Sequence, residues 1–321
     1  MSERQHGMRR SILAACLLLV LSACAVPHER SDLTLGKDAA RTSQVNQVFD
    51  RYRLVRNAAI KLLDTKPLST VESEAVLEID SGSFEVSQRL AQKLKQDTSQ
   101  IDVTRILTPR FSKYPLWFLA VVRVRALGIN RVQIFERAAA VDPWLLVASP
   151  ETVAATDLPD LRAKGSEVVT VRPGDGAGMS MSSQQAAAVY AKTLADASSP
   201  EADTVVKDSF VRQMRSVAAT NSALSGVTFS QTWSAEKVRF VLRTADGGAL
   251  AFVTLLRNDT YKVRKGLTVS WPDGTPQRAF LSSGISGSAT LQYKHQVLLR
   301  IPGGKGKPRA IGQYGGVVGV K

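Results

Sequence analysis

Helical and strand-like periodicities alternate along this chain, and the alternation occurs twice. Between residues 43 and 63 the apolar side chains Val45, Val48, Phe49, Tyr52, Val55, Ala59, Leu62 and Leu63 fall on one stripe. That spacing predicts an amphipathic helix, with Pro67 just beyond its end. Leu77 and Ile79 suggest a short extended piece, and residues 83–95 return to helical spacing through Phe84, Val86, Leu90 and Leu94. The period then changes to two. Strands are predicted from Ile101, over 117–125, over 131–136 and over 144–148, with Leu127-Gly128-Ile129-Asn130 as a turn and Asp142-Pro143 as a break.

Residues 151–179 read as a connector. Its segment Arg172-Pro173-Gly174-Asp175-Gly176-Ala177-Gly178 has the Gly and Pro density of an exposed loop, and Val168-Val169-Thr170-Val171 before it reads as a strand. Helical spacing resumes over 182–195 and 204–219. Strands follow at 227–232, 238–244 and 249–257, the last two joined by the hairpin turn Asp246-Gly247-Gly248. Extended pieces at 261–270, 288–301 and 310–320 close the chain. Leu291, Tyr293, His295, Val297 and Leu299 share one face of the middle piece.

The second half echoes the first. Gly82-Ser83-Phe84 matches Asp208-Ser209-Phe210, Trp117-Phe118-Leu119 matches Arg239-Phe240-Val241, and Phe135-Glu136-Arg137 matches Leu255-Leu256-Arg257, at a separation of roughly 120 residues. The expectation is an α+β fold of two related modules, 43–150 and 180–321. Each would pack helices on a curved antiparallel sheet, an arrangement that resembles NTF2-like and cystatin-like folds.

The first residues change the picture. A basic start with Arg4, Arg9 and Arg10 precedes an apolar run over 12–21 and the small residues before Cys24, the form of a secretory signal. The run is shorter than the roughly 20 apolar residues of a spanning helix. Leu21-Ser22-Ala23-Cys24 resembles the lipobox of bacterial lipoproteins. That resemblance implies cleavage after residue 23, a diacylglyceryl group on Cys24, a polar tether over 24–42 and residence on the outer face of a cell membrane. Two acyl chains anchor stably, where one holds only marginally. Arg9-Arg10-Ser11-Ile12-Leu13 also resembles a twin-arginine export signal. The other cysteine, Cys16, would leave with the signal, so the mature fold would have no disulfide.

Lipobox, tether and paired α+β halves together resemble a group of actinobacterial lipoproteins of unknown function. Tyr114-Pro115-Leu116-Trp117-Phe118-Leu119-Ala120, Phe135-Glu136-Arg137 and Pro143-Trp144 are similar to their recurring core. The resemblance implies fold and address, and brings no catalytic motif.

Formal net charge is +14. From Thr260 onward there are ten basic residues against the single acid Asp273. Such a one-signed surface concentrates anionic partners: outside a cell, anionic lipid or a cell-wall polymer rather than nucleic acid. Lys305, Lys307 and Arg309, in a Gly- and Pro-rich stretch, are the candidate contacts, with Lys262, Arg264, Lys294 and Arg300 on the flanking strands.

Catalytic chemistry is poorly supplied. His6 and His28 precede the fold, which leaves His295, expected as a half-buried strand residue, so a His-based zinc site or Ser-His-Asp triad lacks its parts. Ser234-Ala235-Glu236-Lys237 has the Ser-x-x-Lys spacing of penicillin-binding proteins without the helix start or partner motifs. Gly303-Gly304-Lys305-Gly306-Lys307 lacks the spacing of a phosphate loop. Trp117 and Trp144 are expected in the core and Trp271 at an exposed turn. An acid–base enzyme of NTF2-like type would draw on Asp102, Glu136 or Asp246. The expectation is a non-catalytic binding or scaffold protein with no cofactor and no metal. The alternatives are a lipid or small-ligand carrier with a cone-shaped cavity, and a divergent NTF2-like enzyme.

Overall fold

A computed structural model describes residues 37–94 and 101–321. The expected signal, Cys24 and most of the expected tether lie outside the described residues. In chain order the elements are β1 (Lys37–Asp38), α1 (Thr42–Leu62), α2 (Thr65–Leu68), α3 (Glu74–Arg89), β2 (Ile101–Leu107), β3 (Arg110–Phe111), β4 (Leu116–Val124), β5 (Ile129–Arg137), β6 (Leu145–Ala148) and β7 (Glu151–Val153). There follow β8 (Ala163–Lys164), β9 (Glu167–Val168), α4 (Ser183–Ala195), α5 (Ser209–Ser222), β10 (Val227–Ala235), β11 (Val241–Arg243), β12 (Ala249–Val263), α6 (Pro276–Phe280), β13 (Ser288–Ile301) and β14 (Arg309–Val320).

The fold is α+β, and its main sheet is antiparallel. Ten strands form that sheet, in the order β10-β12-β13-β14-β7-β5-β4-β2, with β11 beside β12 and β6 beside β5. The strands of the two halves meet where Gln313 of β14 pairs with Glu151 of β7.

The sheet curls, because its ends touch. Trp117 of β4 meets Phe240, next to β11, with ring centroids 5.3 Å apart. The connector bridges the remaining seam. Thr108 N donates to Ser166 O at 2.8 Å on one side, and Arg243 N donates to Val169 O at 2.8 Å on the other. Inside the curl, Leu119, Val121, Val132 and Ile134 of the first half pack with Leu242, Leu250, Phe252 and Leu298 of the second. On the outer face of the first half, Val45, Phe49 and Tyr52 of α1 pack on Phe118, Ala120, Val122 and Phe135. On the outer face of the second, Ala186, Tyr190, Leu194, Phe210 and Met214 of α4 and α5 pack on Ala251, Val253, Val297 and Leu299. Each half therefore lays helices on antiparallel strands, but the expectation of two modules with separate sheets is not borne out. Sheet and interior are shared.

Several local expectations need correction. Leu77 and Ile79 belong to α3, one helix that buries Val76, Ile79 and Phe84. Gly82 in its middle, a weak helix former, hides its continuity, and serves a packing need: a Cβ there would overlap the carbonyl oxygen of Val317. α3 thus covers the edge of β14 beyond the end of β7, where unpaired backbone would otherwise be exposed. The strand expected over 261–270 is instead the end of β12, which runs 15 residues. Arg257, where the strand was expected to end, and Asp259 beyond it are both buried within it. The helix expected over 204–219 starts at Ser209, after the capping residue Asp208. The strand expected over 168–171 shrinks to the two residues of β9, and Thr170 bridges to Leu242.

Candidate functional site

The junction of β14 and β7 gathers most of the unusual polar chemistry, in a closed ionic cluster and an open groove. The cluster lies between α1, α3 and the sheet. Residues 71–73 run beside β6, with Leu146 N donating to Val71 O at 2.8 Å and Ser73 N to Leu146 O at 3.1 Å. This clamp fixes Glu72, which is fully buried. The next turn is strained: Glu74 enters α3 at φ 55°, a left-handed conformation uncommon outside Gly and Asn.

Tyr52 of α1 donates to Glu72 Oε1 at 2.9 Å. Arg56, one helical turn on, donates to Asp80 Oδ2 from Nε at 3.2 Å and Nη2 at 3.0 Å, and its Nε lies 3.6 Å from Glu72 Oε1. Tyr314 of β14 donates to Asp80 Oδ1. Among the described residues no N–H or O–H donor reaches Glu72 Oε2. Burial first, then the neighbouring Asp80 charge, hold the Glu72 carboxyl well above the usual carboxylate range. Arg56 lies closer to Asp80 than to Glu72, so Glu72 is the carboxyl of the two that is pushed toward its protonated form. Beside it a cavity of ≈ 40 Å³ is lined by Arg56, Asp80, Arg131, Ser149, Glu151 and Tyr314. That is room for about one water.

Glu151 links cluster to groove. It accepts from Arg131 Nε at 2.9 Å on the cluster side and also lines an open groove of ≈ 540 Å³. Lys207, Ser209, Arg212 and Gln213 at the start of α5 form one wall, and Arg309 to Gln313 of β14 form another. The carboxylate of Asp208 is turned inward. It accepts from Val211 N at 3.0 Å, from Tyr190 OH at 2.9 Å and from Ala310 N at 2.7 Å, which ties α4, α5 and β14 together. Gly312 lies flush on β7: a Cβ there would come within 2.7 Å of Thr152 Cγ2.

The structure separates the basic residues picked out in the sequence. Arg309 lines the groove beside Lys207 and Arg212. Lys305 and Lys307 stand exposed in the β13–β14 loop, and Lys262 and Arg264 are exposed at the end of β12. Lys294 and Arg300 are not free to form a patch, since Lys294 pairs with Glu78 at 2.5 Å and Glu236 at 3.4 Å and Arg300 with Asp246 at 3.0 Å.

The three carboxylates considered for acid–base work lie on different elements, each with its own arginine. Asp102 pairs with Arg125 at 2.5 Å, Glu136 with Arg239 at 2.5 Å, and Asp246 with Arg300. Thr244's hydroxyl is the main cause holding Asp246 below its ordinary value. His295 is buried rather than half-buried, and neither ring nitrogen has a partner among the described residues. It lies against Trp233, Phe210 and Tyr293. Burial, then the Arg257 charge, push its pKa down to about 3, so it is neutral. Arg257 is itself buried, paired with Asp259 and 3.9 Å above the Tyr293 ring. Trp117 is in the core, Trp144 packs partly buried on Phe118, and Trp271 is partly covered by Tyr261. Among the described residues no group of His, Cys, Asp and Glu has the arrangement to hold a metal ion, and no helix is long and apolar enough to cross a membrane.

Sequence reasoning missed Glu72, Asp80 and Arg56. A local signal existed, because Tyr52 and Arg56 lie one turn apart on the stripe that α1 buries, but their partners come from other elements.

The chain is similar to an uncharacterized lipoprotein of Streptomyces avermitilis, with 23% identity over 293 residues, 87% of this chain and 86% of the relative. It is also similar to an uncharacterized lipoprotein of Streptomyces coelicolor, with 22% identity over 287 residues, 88% and 85% of the two chains. No solved structure matches. The profile of the family described as a domain of unknown function (DUF8094) matches residues 37–321, and the chain belongs to that family.

Proposed function

We propose that this is a lipid-anchored protein of the outer face of a cell membrane, held by Cys24, whose folded body binds a partner without catalysing a reaction. The carrying observation is the lipobox-like Leu21-Ser22-Ala23-Cys24 ahead of a folded body that begins near Lys37. Relatives named as lipoproteins match it over most of both chains. Non-catalytic binding is supported by how the polar groups are used. Asp102, Glu136 and Asp246 are each committed to an arginine, Glu72 is fully buried, and Asp80 borders a cavity of only ≈ 40 Å³. The carrier alternative needs an apolar cavity, whereas the space between helices and sheet is filled by packed side chains in both halves. Exposed Arg309, beside exposed Lys207 and Arg212, favours an anionic partner, headgroup or wall polymer. The finer idea, that the halves descend from NTF2-like or cystatin-like modules, rests on their matching order of helices and strands.

The test is Cys24→Ser, expressed in a host that lipidates exported proteins. The wild type should fractionate with membrane. The variant should be soluble, secreted or retained as uncut precursor. A variant that fractionates as wild type, with neither form lipidated, would overturn the reading.

A further inference from the structure

We propose that the groove between the start of α5 and β14 is the binding site of this protein, and that its ligand is a single anionic polymer chain carrying phosphate or carboxylate groups. The proposal rests on the extracytoplasmic binding role above and names its site and ligand class. Three cations from two segments converge on the groove: Lys207 and Arg212 at the start of α5, and Arg309 at the start of β14. All three are exposed. The acids beside them do not cancel this charge toward solvent. Glu151 is held by Arg131, and Asp208 is saturated by Tyr190, Val211 N and Ala310 N. Lys207 has only a loose pairing, 3.9 Å from Asp203. The guanidinium of Arg212 donates to the Lys207 carbonyl at 2.5 Å, which holds its fork over the groove wall with donors to spare. Arg forks of this kind match the oxygens of phosphate and carboxylate. Exposed Ser209 and Gln213 add neutral donors.

Shape selects a chain over a membrane. A bilayer is flat and meets protruding side chains such as Lys305 and Lys307 in their loop. A groove of ≈ 540 Å³ with cations along its walls instead suits a strand laid into it, with successive anionic groups reaching successive cations.

The experiment uses the full chain with Cys24→Ser, unlipidated and without detergent, so anchoring plays no part and vesicles stay intact. Binding of labelled sodium polyphosphate and of poly-L-glutamate is measured by fluorescence anisotropy at low and high salt, with anionic phospholipid vesicles in a parallel flotation arm. This parent chain should bind at least one polymer, more weakly as salt rises. The polymer it prefers names the anionic group. The triple variant Lys207→Gln, Arg212→Gln, Arg309→Gln should lose about tenfold or more in affinity, the combined effect of three exposed charge contacts. The pair Lys305→Gln, Lys307→Gln removes two charges outside the groove and should change affinity little. As a second variant, Ser209→Asp with Gln213→Glu keeps all three cations, adds acids to the groove wall and should also weaken binding. The proposal is overturned if the parent chain binds neither polymer, or if the loop pair costs as much as the groove triple. It is also overturned if vesicles are bound more tightly than polymer and the groove variants leave that binding unchanged. Failure of the anchor reading shows instead in the fractionation of Cys24→Ser, which does not depend on the groove.

Discussion

Glu72 and Asp80 share one arginine in the same buried cluster, yet their removal should have opposite consequences. Glu72 is fully buried, accepts from Tyr52 and has one oxygen that no donor reaches among the described residues. Its carboxyl is held well above the ordinary range by burial and by Asp80. A neutral Glu72 is matched in shape by glutamine, whose oxygen can still accept from Tyr52 and whose amide can donate toward Asp80. Glu72→Gln should therefore change stability by less than about 1 kcal/mol at neutral pH, as expected when a buried polar group keeps its partners. Asp80→Asn removes the charge that faces the Arg56 guanidinium at 3.0 Å. Breaking a buried pair by removing one partner costs about 3–5 kcal/mol. Glu72 can ionise to replace the lost charge, so the lower end, about 3 kcal/mol, is expected. In the double variant Glu72 is no longer there to compensate, and the cost should exceed the sum of the two single changes. The pH dependence follows from the raised pKa. The folded state holds a proton that the unfolded chain releases near the ordinary glutamate value. This contribution is complete below that value and is lost as pH rises through the folded pKa, at about 1.4 kcal/mol for each unit between the two. Wild type should thus weaken relative to Glu72→Gln as pH rises above about 4.5. Urea midpoints across a pH series measure all of this. If Glu72→Gln is as damaging as Asp80→Asn, or its advantage does not grow with pH, Glu72 is ionised in the fold and the division of charge is wrong.

Gly82→Ala should destabilise although alanine is the better helix former by about 1 kcal/mol. The new methyl would meet the Val317 carbonyl, and overpacking of this kind costs about 1–3 kcal/mol, so a higher melting temperature would contradict the packing of α3 on β14. His295 has a folded pKa near 3, below its ordinary 6.5. Its contribution is present above 6.5 and is lost as pH falls toward 3, so His295→Phe should be near neutral at pH 7 and resist acid better than wild type. An unchanged acid limb would show that the imidazole is not buried uncharged.

The elements themselves were largely legible. The stripe from Val45 to Leu62 gives α1, and the period of two around Leu291–Leu299 gives β13. The uninterrupted apolar runs Leu116–Val122 and Ala249–Val253 do carry the mark of strands covered on both faces, but a run does not say what covers each side. That is why the shared interior and the curl were hidden: they depend on Trp117 meeting Phe240 and on Glu151 pairing with Gln313 across distant parts of the chain. The strand expected to end at Arg257 continues, because Arg257 and Asp259 satisfy each other inside β12. The ionic cluster was illegible for a similar reason, since Tyr52, Glu72, Asp80 and Tyr314 come from four separate segments. Of the basic residues, Arg309 could be picked out from local charge alone. Its companions Lys207 and Arg212 join it only because Asp208 and Val206 tie the start of α5 to the start of β14.

The central claim is the anchor at Cys24, and the mass of the mature N-terminal peptide tests it most directly. Protein taken from the membrane fraction of a lipidating host, digested and measured by mass spectrometry, should yield a peptide that begins at Cys24 and carries a diacylglyceryl modification. An N-terminus elsewhere, or an unmodified Cys24 in membrane-bound protein, would contradict the account.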